Sequence, residues 1–240
     1  MKSVLISGAN KGIGFETARL MAEQGYQVFL GSRNRESGQH ARQQLNALGL
    51  ERIEIVELDI TDDRRVDQAR QAVEKHTDKL DVLINNAGIR GEVPQPASTF
   101  SVSQMKQIYE TNLFGAIRVT QAFMPLLNRA ELPVIVNVSS DLGSLTFRSN
   151  PDWKNYTLER AGYAPSKTAL NAYTVALAAE FHDTHFKINC VDPGHSDTDF
   201  NNHMGKQPAD QAAETVVRYA ILDKQGPHGK FFDRDGEIPW

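Results

Sequence analysis

Cysteine is nearly absent: Cys190 is the only one in 240 residues. No internal disulfide can form, and this usage fits a reducing compartment. No apolar run approaches the ~18 residues of a bilayer-spanning helix. The longest apolar stretches, such as Val4-Leu5-Ile6 and Val134-Ile135-Val136, are strand-length. Positive charge is not in excess either. The formal net charge is −4, which argues against a nucleic-acid or polybasic membrane partner. The 17 glycines follow no period, and there is no internal repeat, low-complexity stretch or linker. Residues Met1–Ser7 lack a secretory pattern, so a cytoplasmic location is expected.

What is present is ordinary globular material, with 40% hydrophobic and 23% charged residues. A chain of this length fits one domain, because α/β folds commonly reach about 250 residues as a unit. Short β-branched runs alternate with longer amphipathic stretches. Strands are expected at Ser3–Ser7, Gln27–Gly31, Ile53–Leu58, Val82–Ile84, Val134–Val138, Lys187–Val191 and Lys230–Phe232. Helices are expected at Ile13–Gln24, Arg35–Leu48, Arg64–Lys75, Ser103–Leu127, Ala161–His182 and Ala209–Ile221. Gly25 reads as the residue just past the first helix, and Asp62 or Asp63 as the cap of the third. Strand–helix alternation predicts a single α/β domain over residues 1–240. Its core would be a doubly wound, seven-stranded parallel sheet with helices on both faces.

The first strand runs into Ser7-Gly8-Ala9-Asn10-Lys11-Gly12-Ile13-Gly14, with a helix immediately after. Glycine permits the tight turn and lets a diphosphate approach the backbone. The helix start offers unpaired N–H groups and partial positive charge. This is the Rossmann-type arrangement for a dinucleotide. The second strand ends Leu30-Gly31-Ser32-Arg33-Asn34, without the carboxylate that would hold a 2′-hydroxyl. Arg33 offers a fork suited to phosphate oxygens, and Lys11 adds a second cation. Both point to NADP(H); solvated surface charges are the plainer alternative.

Tyr163 and Lys167 lie four apart at the start of the fifth expected helix, hence on one face. A phenol titrates near pH 10, and a neighbouring ammonium is expected to lower that value and favour acid–base work.

Four motifs then appear in one order: the Gly8/Gly12/Gly14 turn, Asn85-Asn86-Ala87-Gly88, Tyr163-x-x-x-Lys167 and Pro193-Gly194. Together they resemble the short-chain dehydrogenase/reductase family, and within it the NADPH-dependent carbonyl reductases, from Ser3 to about Phe232. The resemblance implies a tetrad of Asn112, Ser140, Tyr163 and Lys167. Tyr163 would exchange the proton with the carbonyl or alcohol oxygen. Lys167 would lower the Tyr163 pKa and hold the nicotinamide ribose. Asn112 would hold a water linking Lys167 to solvent. Ser140, three residues before Gly143, is the implied polarising hydroxyl, with Ser139 the alternative because adjacent strand residues face opposite ways.

The implied cofactor contacts are Gly8, Asn10, Lys11, Gly12, Ile13, Gly14 and Arg33, with Tyr163 and Lys167. Asp59 and Ile60 would flank the adenine; Asn86, Ala87 and Gly88 would line the adenosine ribose. Pro193, Gly194, Ser196 and Thr198 would cover the nicotinamide. For Asp59, a helix cap before Thr61 is the structural alternative.

The sequence departs from the family between Ser140 and Tyr163, where residues 141–160 form an insertion carrying Phe147, Pro151, Trp153 and Tyr156. These aromatics read either as a substrate-pocket wall or as local packing, and oligomeric state, monomer or homo-oligomer, is left open. The segment Asp199–Gln207 is short for a lid, which implies a permissive pocket. His182 and His185 read as helix C-terminal groups rather than a metal pair. His195 is a possible substrate contact, Cys190 a buried small residue, and the tail Gly236–Trp240 a docking segment on its own or a neighbouring subunit. The reading is an NADPH-dependent ketone or aldehyde reductase without a metal. Its alternatives are alcohol oxidation, C=C reduction and NADP sensing without turnover.

Overall fold

The computed structural model describes all 240 residues. Seven strands, β1 Ser3–Ile6, β2 Gln27–Ser32, β3 Ile53–Glu57, β4 Val82–Asn85, β5 Val134–Val138, β6 Lys187–Val191 and β7 Phe231–Phe232, form one sheet. All neighbours pair in parallel, in the order β3-β2-β1-β4-β5-β6-β7. The order in which successive strands are added reverses between β1 and β4, so a crevice opens beyond their C-terminal ends, where such sheets bind ligands.

The helices are α1 Gly12–Glu23, α2 Arg35–Ala47, α3 Asp63–Glu74, α4 Val102–Tyr109, α5 Ala116–Leu127, α6 Leu145–Arg148, α7 Tyr163–Glu180 and α8 Ala209–Ala220. Local chemistry sets several starts. Asn34 accepts from Ser37 N, Asp62 from Arg64 N and Arg65 N, and Ser101 from Gln104 N. Such caps are worth about 1 kcal/mol each. Asp62, not Asp63, therefore caps α3. Gly25 adopts φ +83° just past α1, the left-handed stop expected there.

Strand alternation divides the core. Val4 and Ile6 face one layer with Met21, Leu45 and Val216. Leu5 faces the other with Phe29, Val66, Phe123 and Leu177. Both faces are covered, which is why the strands read as continuous apolar runs. Truncating the fully buried Phe123 to Ala would cost about 3–5 kcal/mol.

Three features differ from the sequence reading. The expected single helix over 103–127 is broken by a π-helical turn, Glu110–Gly115, between α4 and α5. The last helix before β6 starts at Tyr163 rather than Ala161, because residues 160–162 are held by long-range contacts. Lys230 lies outside β7, its N–H donating to the Asn189 side chain rather than to a strand.

The tail folds back on its own chain. Ile238 N donates to Phe231 O, and the Trp240 ring stacks on Phe231 at 5.4 Å. Thr146 N donates to Trp240 O, tying the tail to the insertion. Within 141–160, Phe147 stacks on Trp153 at 5.5 Å, and Arg148 donates to the carbonyls of Asn155, Tyr156 and Leu158. These two aromatics thus pack on the insertion itself, while Tyr156 stays exposed.

Candidate active site

The glycine turn occupies the crevice at the end of β1. Gly8 and Gly12 take φ +65° and +57°. A Cβ on Gly14 would meet Gly8 O at 2.4 Å and Asn86 Nδ2 at 2.5 Å, so only glycine fits. Asn86 braces the turn by donating to Ser7 O and Gly8 O. The Ser7 hydroxyl accepts from Asn86 N and Ala87 N at 3.0 Å each. The start of α1 has no side-chain cap and no acidic residue in its first turn. Free N–H groups, positive dipole and a space that side chains would fill suit a diphosphate. A dinucleotide fits the residues present.

At the end of β2, Ser32 Oγ donates to Asn34 O and Asn34 is occupied as the α2 cap, leaving Arg33 exposed and in no ion pair. Asp59 Oδ1 accepts from Thr61 N and Thr61 Oγ1, a local turn distinct from the cap of α3. Burial opposes its ionisation, yet the Thr61 hydrogen bonds with the Arg33 and Arg65 charges hold its carboxyl below the usual range. Ile60 is buried beside it, and Ile13 packs against the core.

A buried polar ladder positions α7 beneath the crevice. Asn85 Nδ2 donates to Thr120 Oγ1 and Asn137 Oδ1, and Asn137 Nδ2 to Thr174 Oγ1. Cys190 Sγ donates to the same Thr174 hydroxyl, and burial pushes its thiol up to about 12. Cys190 is a packed small residue with no thiolate character.

The four residues of the expected tetrad lie on neighbouring elements around this ladder. Ser139 and Ser140 diverge as adjacent strand positions must. Ser139 Oγ is buried and donates to Asn171 Oδ1 at 2.6 Å. Ser140 is only half-buried; its hydroxyl accepts from Leu142 N at 3.2 Å, and it lies near enough to the Tyr163 phenol to favour its ionisation. Lys167 is buried, its Nζ donating to Val138 O at 2.8 Å and lying 5.8 Å from the centroid of the Tyr163 ring. Asn112 occupies the π-helical turn. Its Oδ1 accepts from Ile89 N, and its Nδ2 donates to Ile89 O and Ser166 Oγ. Gly88 is the close neighbour of both: a Cβ there would be 3.2 Å from Asn112 Oδ1 and 3.6 Å from Lys167 Nζ. π-helical turns recur at functional positions.

The electrostatics differ from the expectation of a depressed phenol pKa. Burial, reinforced by the Asp192 and Asp141 carboxylates, holds Tyr163 well above its ordinary value, with Ser140 and Arg160 opposing. Burial also brings Lys167 down to about 8. The ammonium is spent on the Val138 carbonyl and does not offset the desolvation of the phenol. Asp192 is itself raised, by burial first and by its neighbour Asp141 second. The phenol of Tyr163 is therefore held in its protonated form.

The segment after β6 closes the crevice. Gln207 Nε2 donates to Pro193 O and Ser196 Oγ, Gly194 N donates to Asp192 Oδ1, and Asn201 Nδ2 donates to Ser196 O. Thr198 is buried against the glycine turn, its Cγ2 3.4 Å from where a Gly12 Cβ would lie. Phe200 meets the Tyr163 ring edge-on at 5.8 Å. His195 is exposed. His182 caps Ala179 O and pairs with Asp183.

Several site residues escaped the sequence reading. Asn171, Asp192, Phe200 and Gln95 each act through partners distant in sequence. Only the polar character of a buried Gln95 beside Pro94 offered any signal.

A seven-stranded parallel sheet with a glycine turn at its switch point, and a Tyr–Lys pair on the adjoining helix, defines a dinucleotide-dependent oxidoreductase fold. The short chain dehydrogenase family model matches residues 2–209, and the chain belongs to that family. It is similar to (−)-isopiperitenone reductase of Mentha piperita, at 33% identity over 302 aligned positions covering 96% of each chain. Those positions outnumber the residues here, so that relative carries segments this chain lacks. Salutaridine reductase from Papaver somniferum superposes with a TM-score of 0.86 at 28% identity, over 97% of this chain and 99% of that one. ElxO with NADP bound superposes with a TM-score of 0.84 at 25% identity, over 97% and 96%.

Proposed function

We propose that the protein reduces a ketone or aldehyde to an alcohol with NADPH, in the cytoplasm, with Tyr163 as proton donor. The observation that carries this reading is the buried, protonated Tyr163 between Ser140 and Lys167, at the mouth of a crevice floored by the glycine turn. When bound, the nicotinamide supplies the hydride. The glycine turn and α1 would hold the diphosphate. Arg33 and Lys11 would hold the 2′-phosphate, and Asn86 to Gly88 would pack beside the adenosine ribose. Ser140 hydrogen-bonds the substrate oxygen as charge grows on it, and Tyr163 delivers its proton there. Lys167, anchored on Val138 O, keeps a positive charge beside the departing proton. Burial keeps Tyr163 in the protonated form from which a carbonyl oxygen can be protonated. The similarity to proteins named as reductases, one solved with NADP bound, supports the same reading.

The test is initial-rate consumption of NADPH, with NADH in parallel, against ketones, keto-esters, aldehydes and quinones. Turnover with NADPH, lost in Tyr163→Phe while NADPH binding persists, is the expected result. Equal use of NADH, or full activity in Tyr163→Phe, would overturn it.

A further inference from the structure

The two walls of the crevice are joined by charge. Lys11 Nζ, in the glycine turn, lies 2.8 Å from Asp199 Oδ2, in the segment after β6. The other Asp199 oxygen lies 3.0 Å from His203 Nε2, and His203 Nδ1 lies 2.7 Å from Asp197 Oδ1. Both ring nitrogens thus face carboxylate oxygens, an arrangement only the protonated ring satisfies in full. Asn202 and His203 hold φ of +57° and +59°. Two successive left-handed residues without a glycine are a costly way to build a turn. That turn presents His203 to the two aspartates.

Stability does not account for the Lys11–Asp199 pair. The two side chains are 64% and 56% exposed, and pairs of that kind contribute little. Its consequence lies in which anion Lys11 serves. Lys11 and Arg33 are the two cations assigned to the 2′-phosphate. Arg33 forms no ion pair, whereas Lys11 is already engaged by a carboxylate. A carboxylate already on the ammonium competes with a phosphate dianion for it, because two anions drawn to one cation repel each other.

We propose that Asp199 is a cofactor-specificity residue that weakens the preference for a 2′-phosphorylated nucleotide by competing with that phosphate for Lys11. The proposal rests on the NADP(H) reading above. Asp199 touches neither the reacting atoms nor the hydride path; it acts through Lys11. The repulsion between Asp199 and the diphosphate is common to NADPH and NADH. It cancels in their ratio, whereas direct repulsion between Asp199 and the 2′-phosphate does not, and a Lys11→Ala background separates that from the competition.

The test is equilibrium binding to the full chain, without turnover. NADPH and NADH are titrated by nucleotide fluorescence, and 2′,5′-ADP and ADP by calorimetry. The variants are Asp199→Asn, Asp199→Ser, Lys11→Ala, Arg33→Ala and the double variant Lys11→Ala/Asp199→Asn. Both Asp199 variants are expected to raise the NADPH/NADH and 2′,5′-ADP/ADP affinity ratios by roughly three- to tenfold. In the Lys11→Ala background, Asp199→Asn is expected to leave both ratios unchanged. Unchanged ratios in both Asp199 variants overturn the proposal. So does an equal weakening of NADPH and NADH, which would make the pair a clasp over the nucleotide. An effect that persists without Lys11 overturns it too. A wild-type protein indifferent to the 2′-phosphate, with Arg33→Ala equally indifferent, instead overturns the underlying nucleotide reading.

Discussion

Gln95 Oε1 accepts the backbone N–H of Tyr163 at 2.9 Å, from 68 positions earlier in the chain. It also accepts Gly162 N at 3.1 Å, while its Nε2 donates to Arg90 O and Glu92 O. Helix α7 has no side-chain cap of its own, and Gln95 fills that place from the loop after β4. Gln95→Leu leaves two buried N–H groups unpaired, costing about 2–4 kcal/mol. Thermal melting should show the loss, and kcat should fall with little change in nucleotide affinity. Unchanged kcat in the folded variant would remove Gln95 from positioning Tyr163.

The two serines at the end of β5 should separate cleanly. Ser140→Ala removes the hydroxyl beside the Tyr163 phenol, and kcat should fall about 10²- to 10³-fold with the melting temperature preserved. Ser139→Ala strands the buried Asn171 carbonyl instead. It should cost about 1–2 kcal/mol of stability and retain most activity. Steady-state kinetics and melting curves on both variants check the assignment; the reverse pattern would exchange their roles.

Lys167 titrates at about 8 in the folded chain, below the ordinary lysine value, because burial penalises its charge. Between about pH 8 and 10.4 the unfolded chain binds the proton and the folded chain does not, so this group makes stability rise with pH there. Below about 8 its charge cost is fully present. Lys167→Met should abolish turnover, raise stability at pH 7 by about 1–3 kcal/mol and flatten that rise. Denaturant titrations at several pH values measure it, and a less stable Lys167→Met would refute the burial argument.

Phe200 is 41% exposed yet stands edge-on to Tyr163. Such a ring stabilises the fold little and offers an apolar face to a substrate held at Tyr163. Phe200→Ala should raise KM for bulky ring-bearing ketones several-fold and leave small ketones nearly unchanged. A melting temperature within about 2 °C of wild type is expected. Equal KM changes across the panel would deny Phe200 a part in selectivity.

Strand periodicity and short-range caps were legible because they depend on neighbours in sequence. β5 and β6 fall where the β-branched runs place them, and Asp62, one of the two aspartates read as the cap of the third helix, caps it. The glycine turn was legible for the same reason. Pairings across the fold were not. The opposite facing of Ser139 and Ser140 follows from alternation, but the partner that holds Ser139, Asn171, lies 32 positions on. Lys11 meets Asp199 across 188 positions, so its engagement has no local trace. The raised phenol is likewise a property of burial and of the distant Asp192, where a four-residue spacing implied the opposite direction.

The π-helical turn at Glu110–Gly115 carries one consequence for the chain's tolerance of length. An i→i+5 ladder holds one residue more per turn than its α-helical flanks. Deleting a single residue there would let the ladder close as ordinary helix while α4 and α5 kept nearly the same phase. Asn112 would lose the bulge that aims it at Ile89 and Ser166, so the extra residue serves the site and not the packing of the helices that flank it.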